Sequence, residues 1–149
     1  MLSQTAEYAL RAMVTLALDD DTPLTAQEIA NLARIPLDYL SKVLNLLARA
    51  GLVKAQRGRC GGFHIAKPAD RMTVLEIVNA VDPLRRIRSC PLGLSAHGSR
   101  LCPLHRKLDE AVRSVEEAFA ATTIASLVGE PATEQTFCGD HGHAALVAL

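Results

Sequence analysis

The chain has 149 residues, 49% of them apolar but only 3% aromatic and none of them tryptophan. One modest core must therefore be assembled from Leu, Val, Ile and Ala, which suits helices. Sixteen basic and sixteen acidic residues cancel to zero net charge, so any charged surface has to come from segregation along the chain.

No apolar run approaches the roughly 18 to 20 residues needed to span a bilayer, and the N-terminus lacks the charged-then-apolar order of a secretory signal. The expectation is a cytoplasmic protein without membrane contact. Its four cysteines should then be reduced, and they read better as metal ligands or redox sensors than as structural disulfides.

A first helix is expected from Ser3 to about Leu18, with Ala6, Leu10, Met13, Val14 and Ala17 as its apolar stripe. The run Asp19-Asp20-Asp21 opposes the helix dipole and ends it. Glu7 and Arg11, one turn apart, read first as a surface pair.

The stretch from Thr25 to Ala66 organises the rest. Thr25 can cap a short helix over Ala26 to about Arg34 by accepting from the amide of Gln27 or Glu28, and Ile29, Leu32 and Ala33 share one face. After the break at Ile35-Pro36, with Pro36 suited to the first helical position, a second helix runs to about Ala50 and stops at Gly51. Leu40, Val43, Leu44 and Leu47 form its inner stripe, leaving Asp38, Tyr39, Ser41, Lys42, Asn45 and Arg49 outside. Two helices joined by a tight turn are the helix-turn-helix arrangement, whose second helix enters the major groove of DNA.

Leu52–Ala55 and Phe63–Ala66 then read as short strands around Arg57-Gly58-Arg59-Cys60-Gly61-Gly62. A hairpin tip with three glycines and two arginines has nothing apolar to bury, and its arginines can reach phosphates or a narrow minor groove. That is a wing. From Arg34 to Arg71 there are eight Lys/Arg against two Asp, a net +6 in a neutral chain, so the remainder carries −6. Such segregation is the footprint of a nucleic-acid face. Tyr39, Ser41, Lys42, Asn45 and Arg49 are the candidates for the major groove, and Arg57 and Arg59 for the minor groove or phosphates.

Lys67–Asp70 is a linker, and Thr73-Val74-Leu75-Glu76 has capping-box spacing for a helix reaching Asp82. Leu84 to Leu101 shows no sustained periodicity. Pro103 opens the longest helical pattern, from Leu104 to Val128 with Gly129 as its stop. At roughly 25 residues such a helix would be about 38 Å long, more than the first helix can cover, so a homodimer through residues 103–128 is expected. The tail from Glu130 to Leu149 should be poorly ordered. The fold class is thus mainly α with a small β-hairpin wing. Its divisions are a winged helix-turn-helix domain (1–82), a cysteine-containing sensor loop (83–102), a dimerisation helix (103–128) and a tail (129–149).

Cys90 and Cys102 stand at either end of the irregular loop, each before a proline, with His97 between them and His105 three residues after Cys102. This is a metal-ligand composition, and Cys102 falls at a helix N-terminus, which favours thiolate. Paired zinc-type spacing is absent, while iron–sulphur clusters tolerate irregular spacing and His in place of Cys. Spacing alone leaves a metal or cluster and two unligated cysteines equally open. Cys60 reads as a small residue tolerated at the wing tip, and Cys138 with His141 and His143 as part of the polar tail.

The segments Glu7–Ala12, Tyr39-Leu40, Ala50–Val53, Arg57–Phe63, Ala66–Pro68 and Cys102–His105 resemble the bacterial winged-helix regulators of the IscR/NsrR type, the Rrf2 family, over about residues 1–128. The resemblance implies a dimeric repressor or activator acting on a palindromic operator in double-stranded DNA, with a long helix pairing the subunits. Cluster-binding members carry three evenly spaced cysteines in the loop before that helix. Here the outer two map onto Cys90 and Cys102, whereas the middle position is Ala96 with His97 beside it. His105 matches a histidine of the IscR type, and Glu7 falls where some members supply a carboxylate from the opposite subunit. The implied ligand set is Cys90, Cys102, one of His97 or His105, and Glu7 across the dimer. The missing cysteine favours a 2Fe–2S cluster with mixed ligation over 4Fe–4S, or else a member that has lost its cluster and senses through thiols. The rival class, a small metal-binding or redox protein not acting on DNA, finds no C-x-x-C motif, phosphate loop or nucleophile-plus-base pair to support it.

Overall fold

The computed structural model describes residues 2–18, 21–93 and 100–129. Helix α1 (Gln4–Leu18) lies at the centre of the core. It buries Ala6, Ala9, Ala12, Met13, Val14, Thr15 and Leu16, a band broader than the single expected stripe, while Leu10 and Ala17 are only half-buried. Broad burial follows from its neighbours, since four of the other helices pack on it. The alanines on that band let those elements approach closely. The hydroxyl of the buried Thr15 donates to the Arg11 carbonyl at 2.8 Å, so the band holds no unpaired polar side chain.

α2 (Ala26–Ala33) begins with a reciprocal capping box: the Thr25 side chain accepts from the Glu28 amide, and Glu28 accepts from the Thr25 amide. It ends at Arg34 in the left-handed region, φ 53°. α3 spans Leu37–Arg49, and its buried face is Leu40, Val43, Leu44 and Leu47, the stripe legible in the sequence. Pro36 sits one residue earlier than expected, at the N-cap, where its carbonyl accepts from Tyr39 and Leu40 and its missing N–H is still harmless.

Strands β1 (Val53–Gln56) and β2 (Gly62–Ile65) pair antiparallel, Val53 opposite Ile65 and Gln56 opposite Gly62. Both are displaced by one residue from the expected spans, towards the tip. The hairpin also has a third partner: Leu24, just before α2, exchanges both backbone hydrogen bonds with Phe63, at 3.0 and 2.7 Å. The wing is thereby stitched to the start of the helix-turn-helix. Glycine is required at 62, because a Cβ there would meet the Leu24 carbonyl oxygen at 2.6 Å.

After a 3-10 turn (Ala69–Arg71), α4 (Val74–Val81) starts with the capping box expected of Thr73 and Glu76. The single long C-terminal helix is corrected to two, α5 (Pro103–Ala121) and α6 (Ile124–Gly129). Thr122 is extended, and its carbonyl accepts from the Val74 amide at 2.9 Å. The Ile124 amide donates to Met72 at 2.9 Å. Pairing with the entry to α4 satisfies the backbone groups that the break releases and drives Ile124 into full burial. The last turns therefore fold back onto the chain's own core, and the segment left with an uncovered face is α5. The tail expectation lies outside the described residues; among the described residues no helix is long and apolar enough to cross a membrane.

Candidate nucleic-acid interface and thiol–imidazole centre

Burial of Leu40, Val43, Leu44 and Leu47 against the core turns the opposite face of α3 outward. Ser41, Lys42, Asn45 and Arg49 are all exposed on it. The Ser41 hydroxyl donates back to the Leu37 carbonyl at 3.1 Å, which leaves its oxygen free to accept. Tyr39 differs from the other candidates. Its hydroxyl lies 2.6 Å from the Thr5 hydroxyl and its ring meets Tyr8 edge-on at 5.3 Å, so it anchors the first turn of α3 to α1. Thr5 and Tyr8 escaped the sequence reading, since nothing local marks a partner thirty-four residues away.

Arg57 and Arg59 are exposed at the wing tip, with Cys60 beside them. The turn is closed by the Gly61 amide donating to the Gly58 carbonyl at 3.0 Å, and Gly58 takes φ 116°. The wing is anchored at its base, where Lys67 pairs with Glu76 at 2.6 Å. That cation, with the Thr73 amide, holds the Glu76 carboxyl below its ordinary range.

The second constellation forms where the loop after α4 meets the start of α5. Cys102 is the N-cap of α5 and His105 stands on its first turn, so Cys102 Sγ and His105 Nδ1 come within 3.0 Å by local helical geometry. Cys90 reaches the same nitrogen from the loop, at 3.7 Å. All three ligand atoms lie within 4.8 Å of one another. Cys102 is buried, whereas Cys90 and His105 are half-exposed. The Cys102 thiol is brought down from 9.0 to about 7, first by the backbone amide of His105, which faces the sulfur without closing a regular capping bond. The His105 imidazole and the Cys90 side chain add to this lowering, and burial opposes it.

An ion pair sets the path of the loop. Arg86 binds Asp109 with Nε and Nη2 at 2.7 and 2.6 Å, and reaches Glu116 at 3.3 Å. The Ile87 amide donates to the same Asp109 carboxylate at 2.8 Å.

Of the expected ligand set, Cys90, Cys102 and His105 are brought together. Glu7, expected from the opposite subunit, is exposed and paired with Arg11 of its own chain at 2.6 Å. His97 lies outside the described residues.

A helix-turn-helix followed by a glycine-and-arginine wing defines a winged-helix transcription regulator. The chain belongs to the Rrf2 family, described as iron-dependent transcriptional regulators, which matches residues 2–130. A protein of Aquifex aeolicus (strain VF5) described as an HTH-type transcriptional regulator is 32% identical over 131 residues, covering 86% of this chain and 91% of that one. Among solved structures, CymR (YrzC), the global cysteine regulator of B. subtilis, matches with a TM-score of 0.72 at 24% identity, over 86% of this chain and 95% of its own. T. potens IscR matches with a TM-score of 0.70 at 23% identity, over 86% and 85%. At those identities the two structures speak to the fold.

Proposed function

We propose that this chain is a homodimeric transcription regulator, acting as a repressor, that reads a palindromic operator with two winged heads and takes its input at the Cys90–Cys102–His105 centre. The observation that carries the reading is the pairing of an exposed polar face on α3 with exposed Arg57 and Arg59 on a wing tied to the same domain. Lys42, Asn45 and Arg49, with Ser41, meet base edges in the major groove, and Tyr39 sets the helix's entry angle. Arg57 and Arg59 take phosphates or the minor groove. Residues 1–82 form the reading head and 83–102 the sensor loop, and α5 (Pro103–Ala121) is the arm that joins two copies, with α6 packed back on the head of its own chain.

Support for the dimer comes from α5, which has no buried residue and leaves Leu104 and Leu108 exposed at 62% and 47%. A second copy of the same helix would cover that face. The input can reach DNA mechanically, because the sensor loop bridges α4 in the head and α5 in the arm. A shift of that loop changes the separation of the two heads, and half-site spacing converts separation into affinity.

The resemblance implies an iron–sulphur cluster at this centre, held by Cys90, Cys102 and His105 with Glu7 of a second copy. A two-iron cluster takes two terminal ligands on each iron, so at most two of these donors could share one iron. The bridging sulfides would hold the third farther away than the 4.8 Å this group spans. The three donors as arranged do not fit that cluster. The same closeness favours a second reading of the input, a cluster-free thiol switch in which a peroxide-class oxidant takes two electrons from Cys90 and Cys102, their two thiol protons leave with the water formed, and the two sulfurs join as a disulfide.

Selection of bound duplexes from a random pool, followed by salt titration of the enriched sequence, tests the function. A two-fold-symmetric consensus with affinity falling steeply in salt is expected. Enrichment of no sequence would overturn the reading.

A further inference from the structure

We infer that Cys90, Cys102 and His105 form a mononuclear site for a single zinc-type divalent ion, with the fourth position left to an exchangeable ligand. The inference rests on the regulator reading for its biological consequence and on the geometry of the three side chains for the site itself.

Tetrahedral zinc bonds to sulfur at about 2.3 Å and to imidazole nitrogen at about 2.0–2.1 Å, which places two ligand atoms on one ion roughly 3.5–3.8 Å apart. Cys90 Sγ stands 3.7 Å from His105 Nδ1, already at that spacing. Cys102 Sγ, at 3.0 Å from the same nitrogen, lies about half an ångström inside it and need only swing outward about its Cα–Cβ bond. Every pair in the group falls within 4.8 Å, at most about one ångström wider than that spacing, so small side-chain rotations bring the three donors onto one ion.

Charge and chemistry agree. Two thiolates and a neutral imidazole carry −2, which a divalent ion neutralises, and a neutral centre suits a site where Cys102 is buried. Soft sulfur with imidazole is the donor set that zinc accepts. His105 directs Nδ1 at both sulfurs, so Nδ1 is the metal-binding nitrogen and Nε2 keeps the proton.

Three protein donors leave a tetrahedral ion one coordination site, as in zinc centres that bind an exogenous ligand. With Cys90 and His105 half-exposed, water or a small external thiol can fill it. The ion would pin the loop to the first turn of α5, and its loss would release that tie.

The test uses the full chain, purified reduced and metal-free under anaerobic conditions, and titrated with Co²⁺ and then Zn²⁺. One Co²⁺ per chain is expected, with the intense visible bands of a tetrahedral thiolate site, displaced stoichiometrically by Zn²⁺. Cys90→Ser and His105→Gln should each weaken Zn²⁺ binding in chelator competition by more than the roughly 10–100-fold that outer-shell partners cost. Far-UV circular dichroism shows whether each variant stays folded, and Cys90, half-exposed on a loop, is a substitution the core does not feel.

Octahedral weakly absorbing Co²⁺, or Co²⁺ binding that survives both substitutions, would overturn the site. So would a product of reconstitution with iron and sulfide that holds equimolar iron and acid-labile sulfide and excludes Zn²⁺. Duplex binding is scored separately: loss of operator binding in Arg57→Ala with an intact Co²⁺ spectrum belongs to the reading head, not to the metal site.

Discussion

Arg86 closes on both carboxylate oxygens of Asp109, at 2.7 and 2.6 Å, twenty-three residues away in sequence and one turn beyond His105 on α5. The pair does for Cys90 what helical spacing does for Cys102. Cys102 and His105 meet because they are three residues apart at a helix start, whereas Cys90 meets them only if its loop runs beside α5. Asp109→Asn removes the charge and one bidentate partner but leaves both local ligands in place. Zn²⁺ affinity in chelator competition should fall about 10–100-fold, as for other groups that orient ligands, while Co²⁺ retains a weaker site built on Cys102 and His105. Unchanged affinity would show that the loop finds its place without the clamp.

The same carboxylate gives an acid limit. The Arg86 guanidinium holds Asp109 down from 3.8 to about 2, with the Ile87 amide adding to the effect. A depressed folded-state pKa means stability that is fully present above the unfolded value and is lost as pH falls towards the folded one. The stability that the Asp109 carboxylate contributes is therefore lost between about pH 4 and pH 2. Glu28, held low by its Thr25 hydrogen bonds, and Glu76, held low first by Lys67, act in the same direction below 4.5. Thermal melts stepped from pH 5 to pH 2.5 should show a falling midpoint in the wild type and a shallower fall in Asp109→Asn.

At the wing, Arg57→Ala and Arg59→Ala should each weaken operator binding and lower the slope of log affinity against log salt by about 1 if the side chain meets a phosphate. Gly62→Ala probes the same wing from inside. Its Cβ would collide with the Leu24 backbone, so the hairpin must pull away from the helix-turn-helix, at a cost of about 1–3 kcal/mol. Duplex binding should then fall although no arginine has been changed. Wild-type affinity in all three variants would remove the wing from the interface.

What could be read from the sequence follows the range of the interaction. The stripe of α3, the Thr73–Glu76 box and the Gly/Arg wing are written within a few residues of themselves; the first two stand where expected and the wing's strands within one residue of it. Cys102 and His105 were legible for the same reason. The break at Thr122 was not, because residues 104–128 keep their three-and-four apolar spacing straight through it. Only the pairing of Thr122 and Ile124 with the distant Met72–Val74 segment makes the interruption favourable. Arg86 is hidden in an aperiodic stretch for want of any local sign of Asp109, and the tie from Tyr39 to Thr5 has no local sign because Thr5 lies in another helix.

That break separates two faces that one long helix would have merged, and the two can be tested against each other. Ile124 is fully buried in the chain's own core, so Ile124→Ala should cost about 2–5 kcal/mol and lower the melting temperature. It should do so without changing the dimer, since α6 is committed to its own subunit. Leu104 and Leu108 are exposed and touch nothing comparable, so the double substitution Leu104→Asp and Leu108→Asp should leave the secondary structure intact. Sedimentation of that double variant should give a monomer where the wild type gives a dimer, and operator affinity should drop because one head alone reads half a palindrome. A wild type that sediments as a monomer would overturn the dimer, and a double variant that remains dimeric would move the subunit contact off the start of α5.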